Sequence, residues 1–309
     1  MYTTTQELRI EPSTICNYHC TVCPRERFRR KREIMSNELF DLILQKAELE
    51  LPHIKHLTIS GFGEFSADKS WKYKIKKGAG CYETLHVITN LSLPGFSDLE
   101  FLLRYISDIR ISLYGHSEEV YKKIHNPPEN IHYDNLIEKI MFLINNKNNN
   151  QRILLNFIEI PENKNQTTEW IDYWKEKADL IEVWRPHNWI DGKEYRVTFD
   201  HRIRSCGRPF KGPVQVQVDG TVNVCCFDFN GELLIGDLKT QSFHEIFFGD
   251  KMEKIQKYHK EGKADNLPQC RICDQRNCAD CKGRQMLYNS KFNIQERINL
   301  TSTEYEKLS

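Results

Sequence analysis

Apolar runs of strand length, rich in β-branched residues, recur along the first two-thirds of the chain at LRIEPS, IKHLTISG, TLHVITN, IRISLYG, RILLNFIEI and LIEVWRP. Between them, apolar residues return at helical spacing in SNELFDLILQKAELE, in a poorer SADKSWKYKIKK, and in SDLEFLLRYI, YDNLIEKIMFLINN and TTEWIDYWKEKA. The two periods predict six strands alternating with helices. Ser36 and Thr168, each ahead of an amphipathic run, are predicted N-caps. Such alternation implies parallel β/α units, arranged as an open doubly wound sheet or as a partial barrel. In both, ligands gather at the C-terminal ends of the strands.

The rhythm breaks at residues 188–205, NWIDGKEYRVTFDHRIRS, which read as the connection to a second domain. Beyond it, VQVQVDGTVNVCC predicts a hairpin with an Asp-Gly turn, and FHEIFFGDKMEKIQKYHKEG predicts one helix. The expected division is a first domain over 1–190, a linker over 191–205 and a second domain over 206–309. NNKNNN (145–150) falls between a helix and a strand and reads as a polar turn.

Charge narrows the function classes. Lys+Arg (44) and Asp+Glu (43) nearly cancel, so no overall field draws the chain to nucleic acid or to a membrane. The start MYTTTQELRI has no basic-then-apolar leader, and no apolar run approaches membrane-spanning length, so a soluble, cytoplasmic protein is expected. In that reducing compartment 11 cysteines point to metal or redox roles rather than disulfides. They fall at 16, 20 and 23, at 81, and then at 206, 225, 226, 270, 273, 278 and 281.

The first three lie in CNYHCTVC, directly after the first predicted strand and therefore on the ligand-binding rim. Structural zinc sites close with four ligands. Three thiolates spaced Cys-x3-Cys-x2-Cys instead suit a cubane with three irons ligated and the fourth open to a substrate or cofactor.

CNYHCTVC resembles the signature of the radical S-adenosylmethionine (AdoMet) enzymes, and further stretches match that family in order. The resemblance implies a partial (β/α)6 barrel of the TIM type. It also implies a [4Fe–4S] cluster on Cys16, Cys20 and Cys23 whose open iron is chelated by AdoMet. SGFGEF is similar to the family's Gly-Gly-Glu motif in its Gly-x-Gly-Glu form, through Gly61, Gly63 and Glu64, although Phe65 stands where that form continues with proline. Thr89 and Asn90 match its Thr-Asn-Gly, with Leu91 in place of the glycine. Ser112, Asn156 and Glu159 match its AdoMet-contacting positions, and Arg185 closes the sixth strand where it can hold AdoMet carboxylate or substrate.

The tail resembles the SPASM and twitch extensions of the same enzymes, with Cys206, Cys225, Cys270 and Cys273 as the expected ligands of one auxiliary [4Fe–4S] cluster. It departs from a full SPASM pattern: no cysteine follows Cys281, and seven thiols are too few for two four-cysteine clusters. Two clusters, or a zinc knuckle from Cys270, Cys273, Cys278 and Cys281, are the alternatives. Size and tail spacing are similar to those of aminocyclitol dehydrogenases, which implies an oxidoreductase. AdoMet would be cleaved to a 5′-deoxyadenosyl radical that abstracts substrate hydrogen, with a flavodoxin- or ferredoxin-type electron donor. Only fifteen residues precede Cys16, so the peptide-binding module of peptide-modifying relatives is not expected, and a small polar metabolite such as an amino sugar or cyclitol is. The other readings are an epimerase with Cys226 as hydrogen donor, a peptide-modifying SPASM maturase, and a zinc-binding interaction protein. The basic run RERFRRKR (25–32) can meet a phosphate or nucleotide handle, but a solvated loop is the simpler reading.

Overall fold

The computed structural model describes residues 5–189, 203–276, 285–292 and 298–299. Six parallel strands appear where the apolar runs predict them: β1 (Glu7–Ile10), β2 (His56–Ile59), β3 (Thr84–Thr89), β4 (Asp108–Ser112), β5 (Arg152–Ile158) and β6 (Leu180–Trp184). They are joined by α1 (Asn37–Glu50), α2 (Trp71–Cys81), α3 (Phe96–Tyr105), α4 (Glu118–His125), α5 (Tyr133–Asn146) and α6 (Thr167–Trp174). The strands lie side by side in chain order, with no reversal. Right-handed crossovers in unbroken order place every helix on the same face, which is the winding of a barrel and not of a doubly wound sheet.

Register follows from the alternation of side chains. Leu8 pairs with Leu57 and Leu57 with Leu85, while Ile10, Ile59, Val87, Ile109 and Ile153 continue the same outward row. All are buried under the helices. The inward row is polar: Arg9, Thr58, His86, Asp108 and Arg152 share one level, and Ser112, Asn156 and Glu182 share another nearer the rim. A slip of one residue in any strand would exchange these two sets, so the buried face fixes the register.

The tail adds strands to both edges of this sheet. β7 (Val214–Val216) pairs parallel with β1, and β8 (Thr221–Asn223) and β9 (Leu234–Asp237) follow antiparallel. At the other edge β10 (Gln285–Asn289) pairs antiparallel with β6, and β11 (Ile298–Asn299) with β10. The tail helices are α7 (Arg208–Lys211), α8 (Phe243–Phe247), α9 (Asp250–Glu261) and α10 (Pro268–Arg271). Among the described residues no helix is long and apolar enough to cross a membrane.

Local expectations meet mixed outcomes. Ser36 caps α1 by accepting from Leu39 N–H, as predicted. Thr168 does not cap α6: the helix grows out of a 3-10 turn at Lys164–Gln166, so Thr168 is already inside it. The single tail helix is two, because Phe248-Gly249 ends α8 and Gly249 becomes the N-cap of α9. The hairpin forms as expected, with Gly220 at φ 87, where a β-carbon is costly. Helix α4 has no counterpart in the periodic reading. Most of the 191–205 segment lies outside the described residues, as do Cys278 and Cys281.

Candidate functional site

The loop carrying Cys16, Cys20 and Cys23 leaves β1 at the C-terminal rim and is held from two sides. Arg25 is buried, and one of its guanidinium nitrogens donates to the carbonyls of Cys16 and Tyr18, both at 2.8 Å. On the other side the end of α4 receives the loop: His19 N–H donates to the Asn126 carbonyl at 3.2 Å and Thr21 N–H to that of Ile124 at 2.8 Å. His125, between them, has Nδ1 3.4 Å from Cys20 Sγ. Tyr18 hydrogen-bonds Tyr121 through their hydroxyls and meets the His125 ring edge-on.

The Gly-x-Gly-Glu stretch packs directly on this loop. A β-carbon on Gly63 would stand 2.3 Å from the Ser13 carbonyl oxygen, and one on Gly61 would stand 2.2 Å from the Glu11 side chain. At Gly63 a larger residue would have to move the backbone that leads to the cysteines, whereas at Gly61 it would have to displace the Glu11 side chain. Glu64 is buried, and its carboxylate accepts from Thr89 Oγ1 at 2.7 Å, Asn90 N–H at 2.8 Å and Ser66 Oγ at 2.8 Å. Burial pushes its pKa up, and those hydrogen bonds oppose the shift. Glu64 therefore ties the end of β2 to the end of β3. Asn90 in turn reaches Asn17 Oδ1 at 3.0 Å and lies 3.8 Å from Cys16 Sγ. Leu91, in the family's glycine position, keeps a left-handed φ of 56 and is fully buried.

Ser112 and Asn156 sit side by side at the ends of β4 and β5 on the lumen face. Asn156 donates to Glu182 at 2.9 Å and accepts from Arg110 at 3.3 Å, and Arg110 pairs with Glu182. Glu159 accepts from Thr167 Oγ1 at 2.9 Å, which anchors the start of α6. Arg185 follows β6 at the same rim, half-buried.

In the tail, Cys206, Cys225, Cys270 and Cys273 line one cavity together with Arg208, His259 and Arg276. Cys225 follows β8, Cys206 precedes α7, and Cys270 and Cys273 bracket the end of α10, so three separate elements converge. Burial first, and then neighbouring thiols, push two of these up: Cys270 to about 12, and Cys225 well above its ordinary value. Cys20 is raised in the same way by burial, Cys23 and Cys16. Burial opposes the charge of Arg208, but Cys226, Cys225, Cys206 and Cys273 hold it firmly protonated. Cys226 thus stands beside this site without lining the cavity, and Cys81 lies exposed at the end of α2.

Buried thiols that disfavour one another's ionisation need a cationic centre to become thiolates, which is what an iron–sulfur cluster provides. Among the described residues no group of three or more His, Cys, Asp or Glu side chains is gathered closely enough to hold a single metal ion. The thiols brought together at each site fit a cluster by their chemistry.

The two sets share an aromatic wall. Trp189 Nε1 donates to the Val22 carbonyl at 3.0 Å, between Cys20 and Cys23, and its ring lies 5.8 Å from Phe62, 6.0 Å from Phe227 and 6.2 Å from Phe229. Asn188 N–H donates to Asp274 Oδ2 at 2.8 Å, next to Cys273. Part of the basic run belongs to the same joint, while Arg29, Lys31 and Arg32 are exposed as a solvated loop would have them. Arg30 pairs with buried Glu11, Arg29 pairs with Glu232, and the Asn230 side chain binds the Arg29 N–H at 2.8 Å and the Arg27 carbonyl at 3.3 Å.

Residues 206–274 match the SPASM family, described as an iron-sulfur cluster-binding domain. No curated protein matches the sequence significantly. Solved structures with the same fold include BtrN in complex with AdoMet and 2-DOIA, at 14% identity and TM-score 0.62, covering 97% of this chain and 99% of that one. Native anSMEcpe with bound AdoMet is similar at 16% identity and TM-score 0.66 over 87% of this chain and 91% of that one. Streptococcus suis SuiB bound to precursor peptide SuiA is similar at 14% identity and TM-score 0.66 over 81% of this chain and 66% of that one.

Proposed function

This chain joins a SPASM iron–sulfur cluster-binding domain to a barrel of the radical AdoMet fold, and from that premise we propose an oxidoreductase that dehydrogenates a small polar metabolite such as an amino sugar or cyclitol. When bound, the first cluster and AdoMet supply a 5′-deoxyadenosyl radical that takes one substrate hydrogen atom, while the tail cluster takes the electron released as a second hydrogen leaves as a proton.

The chain's own part is to hold and to exclude. Cys16, Cys20 and Cys23 hold the first group, and Cys206, Cys225, Cys270 and Cys273 the second. The Gly61–Gly63 backbone, Asn90, Ser112 and Asn156 offer polar contacts to AdoMet around the rim. Thr89 and Glu64 fix the strand ends that carry them, and Arg185 is placed for a carboxylate or substrate hydroxyl. Trp189, Phe62, Phe227 and Phe229 keep water from the space between the two sites, which a carbon radical requires.

The observation that carries the reading is that Trp189 touches both cysteine loops, so an electron acceptor stands beside the place where hydrogen is abstracted. A small substrate is supported by the BtrN structure, solved with AdoMet and 2-DOIA, and a peptide substrate is the second reading, supported by native anSMEcpe with the Cp18Cys peptide, each covering 97% of this chain. The end of the SPASM match at residue 274 supports one auxiliary cluster. We place the protein in the cytoplasm, supplied by a flavodoxin- or ferredoxin-type donor.

The test is anaerobic incubation of reconstituted enzyme, AdoMet and a metabolite extract in D2O. A product two mass units lighter than its substrate, with no solvent deuterium at the reacting carbon and turnover surviving Cys226→Ala, is expected. An isomer carrying one deuterium, with turnover stalled by Cys226→Ala, establishes an epimerase instead. Modification confined to added peptide establishes a maturase.

A further inference from the structure

Two buried histidines lie beside the cysteine sets without belonging to them. His125 ends α4 and is fully buried. Its Nε2 is 2.9 Å from the Tyr114 backbone nitrogen and its Nδ1 is 3.4 Å from Cys20 Sγ. A backbone N–H can only donate, so Nε2 is the bare nitrogen and the proton sits on Nδ1, facing the sulfur.

The tail repeats the arrangement with the nitrogens exchanged. His259, on α9, is 2% exposed. Its Nδ1 is 2.9 Å from Ser205 Oγ and its Nε2 is 3.6 Å from Cys270 Sγ. The Ser205 oxygen accepts the Gly207 N–H at 3.1 Å, and we assign its hydroxyl hydrogen to Nδ1. The remaining proton of the neutral ring is then on Nε2, again facing a cysteine sulfur.

We propose that His125 and His259 are a matched pair of positioning residues, each donating one imidazole N–H to a cysteine sulfur of its cluster and raising that cluster's reduction potential. The inference rests on reading the two cysteine sets as cluster ligands. A cluster that gains an electron places more negative charge on its thiolate sulfurs, and a donor aimed at one of them favours the reduced form. Each ring is locked by its second hydrogen bond, so it cannot turn away. A ring present only to fill space would be replaced by phenylalanine with no change in potential.

Potentials of the full-length reconstituted protein, read by EPR-monitored titration without AdoMet or substrate, decide the matter. His125→Phe should move the first cluster's midpoint negative by a tenfold change in the reduction equilibrium, about 59 mV for one electron, and leave the tail cluster unmoved. His259→Phe should do the converse, and His125→Gln, whose amide keeps an N–H, should restore most of the shift. A midpoint unchanged in a phenylalanine variant that retains its iron overturns the proposal. If those variants lose iron, wild-type protein with 15N-labelled histidine serves instead: pulsed EPR of each reduced cluster should show one weakly coupled imidazole nitrogen, and no coupling overturns the pairing. Because no substrate is present, an epimerase or a maturase would give the same potentials. Failure of the oxidoreductase reading therefore leaves this result standing, and the reverse also holds.

Discussion

The Glu64 carboxylate and the Asn90 amide, 26 residues apart in the chain, meet at 2.8 Å and join the ends of two neighbouring strands. The same carboxylate takes Thr89 and Ser66 hydroxyls, so every contact it makes here is as an acceptor. Glu64→Gln would turn one oxygen into a donor facing other donors. A loss of about 2 kcal/mol, as for hydrogen bonds to charged groups, is expected in denaturant unfolding. An unchanged unfolding midpoint would show that the rim does not depend on it.

Gly63→Ala tests the close approach beneath the cysteine loop. Its β-carbon would press on the Ser13 carbonyl at 2.3 Å, and backbone cannot yield as a flexible side chain can. About four irons should be lost on reconstitution, as for one cubane, with the tail cluster kept. Full iron content in the variant would mean that the loop tolerates the shift.

Arg25→Ala removes the donor shared by the Cys16 and Tyr18 carbonyls. Two buried carbonyls would be left unsatisfied, at about 1–3 kcal/mol each. Iron binding at the first site should weaken while the tail site is unaffected, and Arg25→Lys should recover only part of it, since the ammonium ends one bond short of the nitrogen that meets both carbonyls. Colour and iron per chain report both outcomes.

Cys273→Ala should cost about four irons yet leave AdoMet cleavage intact, because its thiol lines the tail cavity and not the barrel rim. Cys278→Ala combined with Cys281→Ala should cost little iron. A loss of one whole cluster from that double change would move the ligand set to the chain's far end.

The strands and the cysteine triplet were legible because each is written in a local pattern: period two with β-branched residues for β1 to β6, and fixed spacing for the thiols. What escaped was written in contacts. SEEVYKKIH is short and carries four charges, so the apolar face of Val120, Tyr121 and Ile124 was too brief to read as a helix, and with it went His125. Its signals were the Ser117 cap, the acidic first turn and Asn126, which ends the helix in the left-handed region. The charges of RERFRRKR read as solvated because nothing in their own spacing announces that Arg25 meets two carbonyls or that Arg30 meets Glu11. Leu91 shows the converse limit. The glycine is gone, yet the backbone keeps the glycine conformation, with the Lys139 ammonium 2.9 Å from the Ser92 carbonyl beside it.

The pairing of β1 with β7, continued by Glu11 N–H to the Val216 carbonyl at 2.9 Å, has a consequence for how such a protein can be divided. A fragment ending at residue 189 would present the whole length of β1 as an open edge, its amides and carbonyls free to recruit the same strand of another copy. Such a fragment is expected to self-associate, as size-exclusion chromatography would show, even with its first three cysteines intact. In this protein the tail is the selvedge of the sheet, and the cloth frays without it.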